Sequence, residues 1–206
     1  MHIHRVFVSL AIPLVLGACA PSTTQSATPA STPTGGGQFY ETSDFALTLP
    51  PGWRIFDPAK DRQALQSAIN SLPPEQRPVA ERALQQADFR LFALESESAG
   101  LSTLNLSAQR LGQGVSLNDL CRLLPQAYQQ NRLEVLETQC NVNLSGSRAL
   151  RFTVETQAGA TRVRIYQYVL LRQGDEMWVL TLGTPSTLWE SRRAVFEAIA
   201  ATFRLR

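Results

Sequence analysis

Three extended runs in the C-terminal half most constrain what this chain can fold into. Ser147 to Thr156, Thr161 to Arg172 and Glu176 to Gly183 alternate apolar and polar side chains, the period of a strand. Only Gln157-Ala158-Gly159-Ala160 separates the first from the second, and a turn at Gly174-Asp175 separates the second from the third. Connections that short join antiparallel neighbours, because a parallel return needs a crossover of roughly a dozen residues or more. The spacing therefore predicts an antiparallel meander.

If those turns close as written, Glu155 faces Arg162, Thr153 faces Arg164, Arg151 faces Tyr166 and Ala149 faces Tyr168. One sheet face then collects Leu150, Phe152, Val154, Val163, Ile165, Val169 and Leu171 with Trp178, Leu180 and Leu182, and this face reads as the core. The other face carries Arg151, Arg162, Arg164, Tyr166 and Tyr168 with Thr181 and Gly183. Arginine and tyrosine are enriched in binding surfaces, where they combine contact area with directed donors. These five residues form the candidate binding face. The competing reading is a sheet face covered by the helix of Cys121 at its Tyr168 end and solvated at its Arg162 end.

Upstream, Phe45-Ala46-Leu47-Thr48-Leu49 alternates as a half-buried strand and is broken by Pro50-Pro51-Gly52, after which Trp53 to Phe56 resumes an extended segment. Asp57-Pro58 reads as a helix cap followed by proline at the first helical position. Leu65, Ala68, Ile69 and Leu72 stripe that helix, and Val79, Ala80, Ala83, Leu84 and Ala87 stripe a second, alanine-rich one. Phe89 to Glu95 and Leu101 to Gln109 read as strands. Ser116 caps a helix carrying Cys121, which Pro125 is expected to bend. Leu133 to Glu137 and Cys140 to Leu144 are extended, and Thr187-Leu188-Trp189-Glu190 is a capping-box pattern opening a final helix. Helices packed on an antiparallel sheet make an α+β domain.

The N-terminus carries a different message. His2, His4 and Arg5 precede an apolar run from Val6 to Leu16, about eleven residues, against the roughly twenty that a membrane span needs. The run ends in Leu16-Gly17-Ala18-Cys19, which resembles the lipobox of bacterial lipoproteins. The resemblance implies cleavage before Cys19, a diacylglyceryl group on its thiol and acylation of the new amino terminus. The alternative is an ordinary secretory signal with an incidental cysteine. Residues 20–37 hold no charge and no large apolar side chain, so they read as a disordered tether with a reach of about 20–25 Å. Asp is absent after Cys19, which in lipoproteins of two-membrane bacteria goes with outer-membrane sorting, on the periplasmic face.

The domain that follows, 38–206, resembles a known superfamily at both its ends. Phe45-Ala46-Leu47-Thr48-Leu49-Pro50-Pro51-Gly52-Trp53 is similar to the F-x-L-x-x-P-x-G-W opening of PsbP-like, Mog1-like and DcrB-like domains. The close is similar too: a strand with Tyr166 and Tyr168, a turn, Trp178-Val179-Leu180-Thr181, and a helix ending at Phe203. The resemblance implies an antiparallel sheet sandwiched by helices, with residues 57–88 as a helical elaboration. It also implies a non-catalytic binding or assembly factor, since known members are mainly that and in bacteria are often lipoproteins.

Composition narrows the chemistry. Both histidines precede Cys19, so the domain has none to activate a nucleophile, ligate zinc or serve as general acid–base. The formal net charge of +2 includes Arg5, and no dense basic cluster suggests nucleic acid. Gly112-Gln113-Gly114 is a turn rather than a dinucleotide loop, and Glu95 with Glu97 is the only carboxylate pair on one strand face, read as a solvated strand end. No catalytic residue, cofactor or metal ligand is indicated. Cys121 falls on an apolar helix face, and Cys140 alternates in phase with Val142 and Leu144. Both thus point inward, either as a disulfide in an exported protein or as separate buried thiols. The function expected is a membrane-anchored accessory domain with an envelope protein as partner. A lipid-anchored enzyme working through carboxylates and a structural envelope lipoprotein are the alternatives.

Overall fold

The computed structural model describes residues 37–58, 60–70, 81, 89–95, 102–173 and 175–206. The signal, Cys19, most of the tether, the second helix of the elaboration and Glu97 lie outside them. Strands β1 (Gln38–Glu41), β2 (Phe45–Leu49) and β3 (Trp53–Phe56) lead to helix α1 (Arg62–Asn70), then β4 (Phe89–Glu95) and β5 (Thr103–Arg110). Helix α2 (Leu117–Gln130) precedes the run β6 (Glu134–Leu144), β7 (Ser147–Ala158), β8 (Thr161–Arg172) and β9 (Glu176–Pro185). A 3₁₀ turn (Ser186–Leu188) enters α3 (Trp189–Thr202), and β10 (Arg204–Leu205) ends the chain. Seven strands form one sheet in the order β3-β4-β5-β9-β8-β7-β6, and β1-β2-β10 form a second. The recorded strand pairs are all antiparallel. This is the expected α+β architecture, an antiparallel sheet with helices on both faces.

The meander forms, but its turns close differently from the expectation, with unequal consequences. Between β7 and β8 the loop is two residues, not four, so Glu155 pairs with Arg164 and Arg151 with Tyr168. That shift of two residues leaves every side chain on its expected face. Gly159, at φ +60°, takes the first loop position, where a tight hairpin demands a left-handed residue. Between β8 and β9, three residues separate Arg172 from its partner Glu176, and Gln173 itself adopts φ +54°. A turn of two residues would have set Trp178 opposite Leu171; the longer one sets it opposite Leu170. One residue of slip flips a whole strand. Trp178, Leu180 and Leu182 therefore join Tyr166 and Tyr168, not Phe152 and Ile165.

Both faces of the large sheet are consequently core. On one, α3 and the small sheet bring Phe45, Leu47, Phe196, Ile199 and Phe203 onto Leu104, Leu106, Trp178 and Leu180. On the other, α2 brings Leu120, Leu124 and Tyr128 onto Leu150, Phe152, Val154 and Ile165. The Cys121 helix thus covers the face opposite to the one that the competing reading gave it. Near β3 and β4 a third cluster packs Leu65 of α1 against Phe56, Phe92 and Leu94. Among the described residues no helix is long and apolar enough to cross a membrane.

Ser116 caps α2 as expected: its hydroxyl accepts from the Asp119 N–H at 3.2 Å, and the Asp119 carboxylate accepts from the Ser116 N–H at 3.2 Å. The helix then continues through Pro125 to Gln130. Asp57-Pro58 makes a turn instead of a helix start, with the Asp57 carbonyl accepting from Lys60 and Asp61, and α1 begins only at Arg62. The capping box at Thr187 does not form, because the 3₁₀ turn runs straight into α3 and leaves Leu188 at the cap without a side-chain bond.

Cys121 and Cys140 are joined, with their Cα atoms 5.7 Å apart. Cys121 is buried, but Cys140 is exposed, against the expectation that both point inward. β6 is one strand with two bulges, and between Gln139 (paired with Arg151) and Val142 (paired with Ala149) the alternation breaks at Cys140. The bond therefore ties α2 to the edge strand from outside. The half-cystines are 19 residues apart, and closing a loop of that size stabilises a fold by on the order of 3 kcal/mol. The double variant Cys121→Ser, Cys140→Ser is expected to lose about that much in a denaturant titration. Thiol counting on the unfolded, unreduced parent is expected to find neither cysteine free.

Candidate functional site

The five residues of the expected binding face divide into buried tyrosines and tethered arginines. Tyr166 and Tyr168 alternate with Ile165 and Gln167 along β8, and α3 lies over them. Each is 3% exposed, so neither offers the open surface that the sequence suggested. The Tyr166 ring meets Trp189 edge-on at 4.6 Å, an arrangement favoured by aromatic quadrupoles, and Trp189 in turn meets Phe196. Trp189 covers the tyrosines because the 3₁₀ turn delivers it to the start of α3 with its side chain inward.

Arg151 sits at the margin between β6 and α3. Its guanidinium lies over the Tyr166 ring at 4.9 Å, with Nη2 3.4 Å from Glu137 Oε2 and Nη1 3.6 Å from Glu197 Oε1. The Thr153 hydroxyl donates to Glu137 at 3.2 Å and the Tyr166 hydroxyl donates to Glu197 at 3.2 Å. Burial pushes the Tyr166 phenol up to about 12, with the Glu197 charge and hydrogen bond adding to it. The hydrogen bond from Gln139 holds the Glu137 carboxyl below its usual range, helped by the Arg151 charge.

A second cluster centres on Glu155, whose side chain is 6% exposed. It accepts from Arg164 Nε and Nη2 at 3.1 and 2.9 Å and from the Ser186 hydroxyl at 2.9 Å, while Arg162 Nη1 lies 3.1 Å away. Arg164 also stacks over Trp189 at 5.6 Å. Burial alone would raise the Glu155 carboxyl, but the hydrogen bonds from Ser186 and Arg164 and the charges of both arginines outweigh it and lower the value. Across the ladder Arg164 pairs with Thr184, and the Thr184 hydroxyl oxygen accepts from Ser102 at 3.3 Å. Beyond them Glu95, buried at the end of β4, meets Arg192 of α3 at 3.2 Å. A polar row therefore runs across one end of the sheet beneath the start of α3.

The chemistry of this row is a lock. Glu137 and Glu155 are both held ionised, Glu137 by the Gln139 hydrogen bond and the Arg151 charge and Glu155 by the Ser186 and Arg164 hydrogen bonds, whereas a carboxylic general acid needs its proton retained near neutral pH. Glu95 is an ion-pair partner and not the solvated strand end that its pairing with Glu97 suggested. Among the described residues no three His, Cys, Asp or Glu side chains gather to hold a metal ion. Of the expected set, Arg162 alone is freely accessible, 69% exposed, while Arg164 and Arg151 are 29% and 16% exposed. The sequence reading missed Glu137, Ser186, Arg192 and Glu197. Glu137 and Ser186 lie on neighbouring elements whose approach no local pattern encodes. Arg192 and Glu197 lie on the final helix, and spacing along that helix says nothing about which strand it covers.

No protein-family model matches the chain, and no curated protein matches it. Solved structures do. Cyanobacterial PsbP (CyanoP) from Synechocystis sp. PCC 6803 is 12% identical with a TM-score of 0.55, over 88% of this chain and 98% of that one. LpqN, involved in cell envelope biogenesis of Mycobacterium tuberculosis, is 10% identical with a TM-score of 0.50, over 83% and 86%. The Saccharomyces cerevisiae Ran-binding protein Mog1p is 13% identical over 84% and 96%, at a TM-score of 0.49 too low to carry an argument. The fold is that of a PsbP-like α+β domain.

Removing one member of the Glu155 cluster tests the lock. Arg164→Ala strips a half-buried partner that donates twice to Oε2 of a buried carboxylate and is expected to cost about 2–3 kcal/mol. Arg162→Ala, at an exposed position, is expected to cost less than about 1 kcal/mol. Chemical denaturation of the two variants checks the order. Because the folded-state value of Glu155 is depressed, its contribution is complete above the ordinary glutamate value of about 4.3 and fades as pH falls through the lower folded value. The gap in stability between the parent and Arg164→Ala should therefore narrow in acid and stay constant from pH 6 to 8.

Proposed function

We propose that this chain is a lipid-anchored accessory protein of the cell envelope, in which a PsbP-like domain on a flexible tether binds a protein partner and performs no catalysis. The observation that carries the reading is Leu16-Gly17-Ala18-Cys19 at the end of a short apolar run, joined through an uncharged tether to that domain. Acyl chains on Cys19 would hold the chain at the membrane, since each buried CH₂ is worth about 0.8 kcal/mol and two or more chains make the attachment stable. In a two-membrane cell the absence of Asp after Cys19 assigns it to the periplasmic face of the outer membrane. The envelope role of LpqN, a protein of similar fold, supports the location. The lack of histidine after Cys19 and the pairing of Glu95, Glu137 and Glu155 with arginines support a non-catalytic role.

The part of the Arg/Tyr face left to a partner is its margin, chiefly Arg162, whose side chain is 69% exposed although its Nη1 lies 3.1 Å from Glu155. Cys19→Ser is expected to abolish metabolic labelling with fatty acid and to release the protein from the membrane fraction; normal labelling of that variant would sink the anchor. In-cell crosslinking from position 160, exposed in the turn beside Arg162, is expected to trap one defined envelope protein. Arg162→Ala should lower that yield several-fold without moving the melting temperature. An unchanged yield removes the margin from the interface.

A further inference from the structure

The most informative residues outside the polar row lie on the opposite side of the same sheet. Along β5, Thr103, Asn105, Ser107 and Gln109 alternate with Leu104, Leu106 and Ala108. That alternation ordinarily marks a strand with one wet face. Here the apolar set enters the core beneath α3, while Thr103, Asn105 and Ser107 are buried as well, at 0%, 2% and 9% exposure. The register extends the polar patch sideways: Asn105 pairs with Thr181 on β9, and Thr181 pairs with Gln167 on β8, these two being 0% and 2% exposed. The patch thus forms a polar seam between the apolar cluster at Phe56, Phe92 and Leu94 and the one beneath α2. Beside Thr103 the ladder places Gly183, which contributes no side chain between Thr103 and Ile165.

Inside the seam the hydrogen bonding is incomplete. Gln167 donates to the Thr181 hydroxyl oxygen at 3.3 Å, yet Asn105 Oδ1 and Thr103 Oγ1 are buried without a partner among the described residues. Native folds pair such atoms with protein groups or with a bound molecule. Two positions apart on one strand face, the two residues stand roughly 7 Å from each other, close enough for one small molecule to reach both. Thr103, Asn105, Ser107, Gln167 and Thr181 are all neutral, which disfavours an ion, because a buried charge needs a counter-charge.

We propose that this seam is a binding site for a small neutral hydrogen-bonding molecule that donates an O–H or N–H to Asn105 Oδ1 and engages the Thr103 hydroxyl. The same chemistry is available from a structural water and from a hydroxyl- or amide-bearing organic ligand. A water bound there would have two of the two to four polar partners such waters normally have.

The test uses the detergent-extracted full chain, read by native mass spectrometry and by nuclear Overhauser contacts between water protons and the side chains of Thr103 and Asn105. A neutral adduct that Asn105→Leu removes assigns an organic ligand. An unchanged mass with long-lived water contacts assigns a structural water. Either result supports the site. Thr103→Val keeps the volume and deletes the hydroxyl, so it protects the test against a misfolded Asn105 variant. With the site occupied, it is expected to melt lower by about 2–4 °C. Absence of both adduct and water contact, whatever the melting temperature, overturns the proposal. A Thr103→Val protein that melts at or above the parent temperature overturns it as well, since it means the hydroxyl had nothing to lose.

Discussion

The pairing of β8 with β9 organises the molecule. Because three residues separate Arg172 from Glu176, Trp178, Leu180 and Leu182 fall on the side of Tyr166 and Tyr168. That side becomes apolar enough to receive α3 and the small sheet, while Val163, Ile165 and Met177 still serve α2 on the other. Burial at about 25 cal/mol per Å² favours covering both faces once both carry large side chains. With the opposite phase, the tyrosine face would have kept Thr181 and Gly183 in place of Trp178, Leu180 and Leu182, and α3 would have had little to pack on.

Covering both faces decides the fate of every polar group on the sheet. Glu155 and Glu95 are largely shielded from water, and each is matched by arginine from a neighbouring strand or from α3. The tyrosines keep their hydroxyls at the margin, where Glu197 accepts from Tyr166. The row of alternating charge ties the start of α3 to β4, β7 and β8 by bonds that cross element boundaries. Such a lock orients a helix that hydrophobic contact alone would let slide, because directed donors have a geometry and apolar area does not.

The same principle sets a limit on function. Tyr166 and Tyr168, of a type common in binding surfaces, were consumed by the interior, and Arg162 at the rim stays exposed. On the proposed reading, a lipid on Cys19 and the charge-free residues 20–37 would let the domain search over a radius of about 20–25 Å.

Much was legible in the sequence because it is local. The β7–β8–β9 meander, the Ser116 cap and the α+β class follow from periodicity and turn chemistry within short windows, and Cys121 and Cys140 stood out as a pair by compartment and number. What only the tertiary structure decided depends on counts and contacts that no window contains. One residue in the loop after Arg172 reassigned Trp178, Leu180 and Leu182, and a bulge after Gln139 turned Cys140 outward. The choice of helix over each face then converted Tyr166 and Tyr168 from a candidate surface into core. Side-chain alternation has a period of two, so the sequence determines that two faces exist; which face meets which helix is a matter of long-range packing, and there a single residue of register outweighs the pattern of a whole strand.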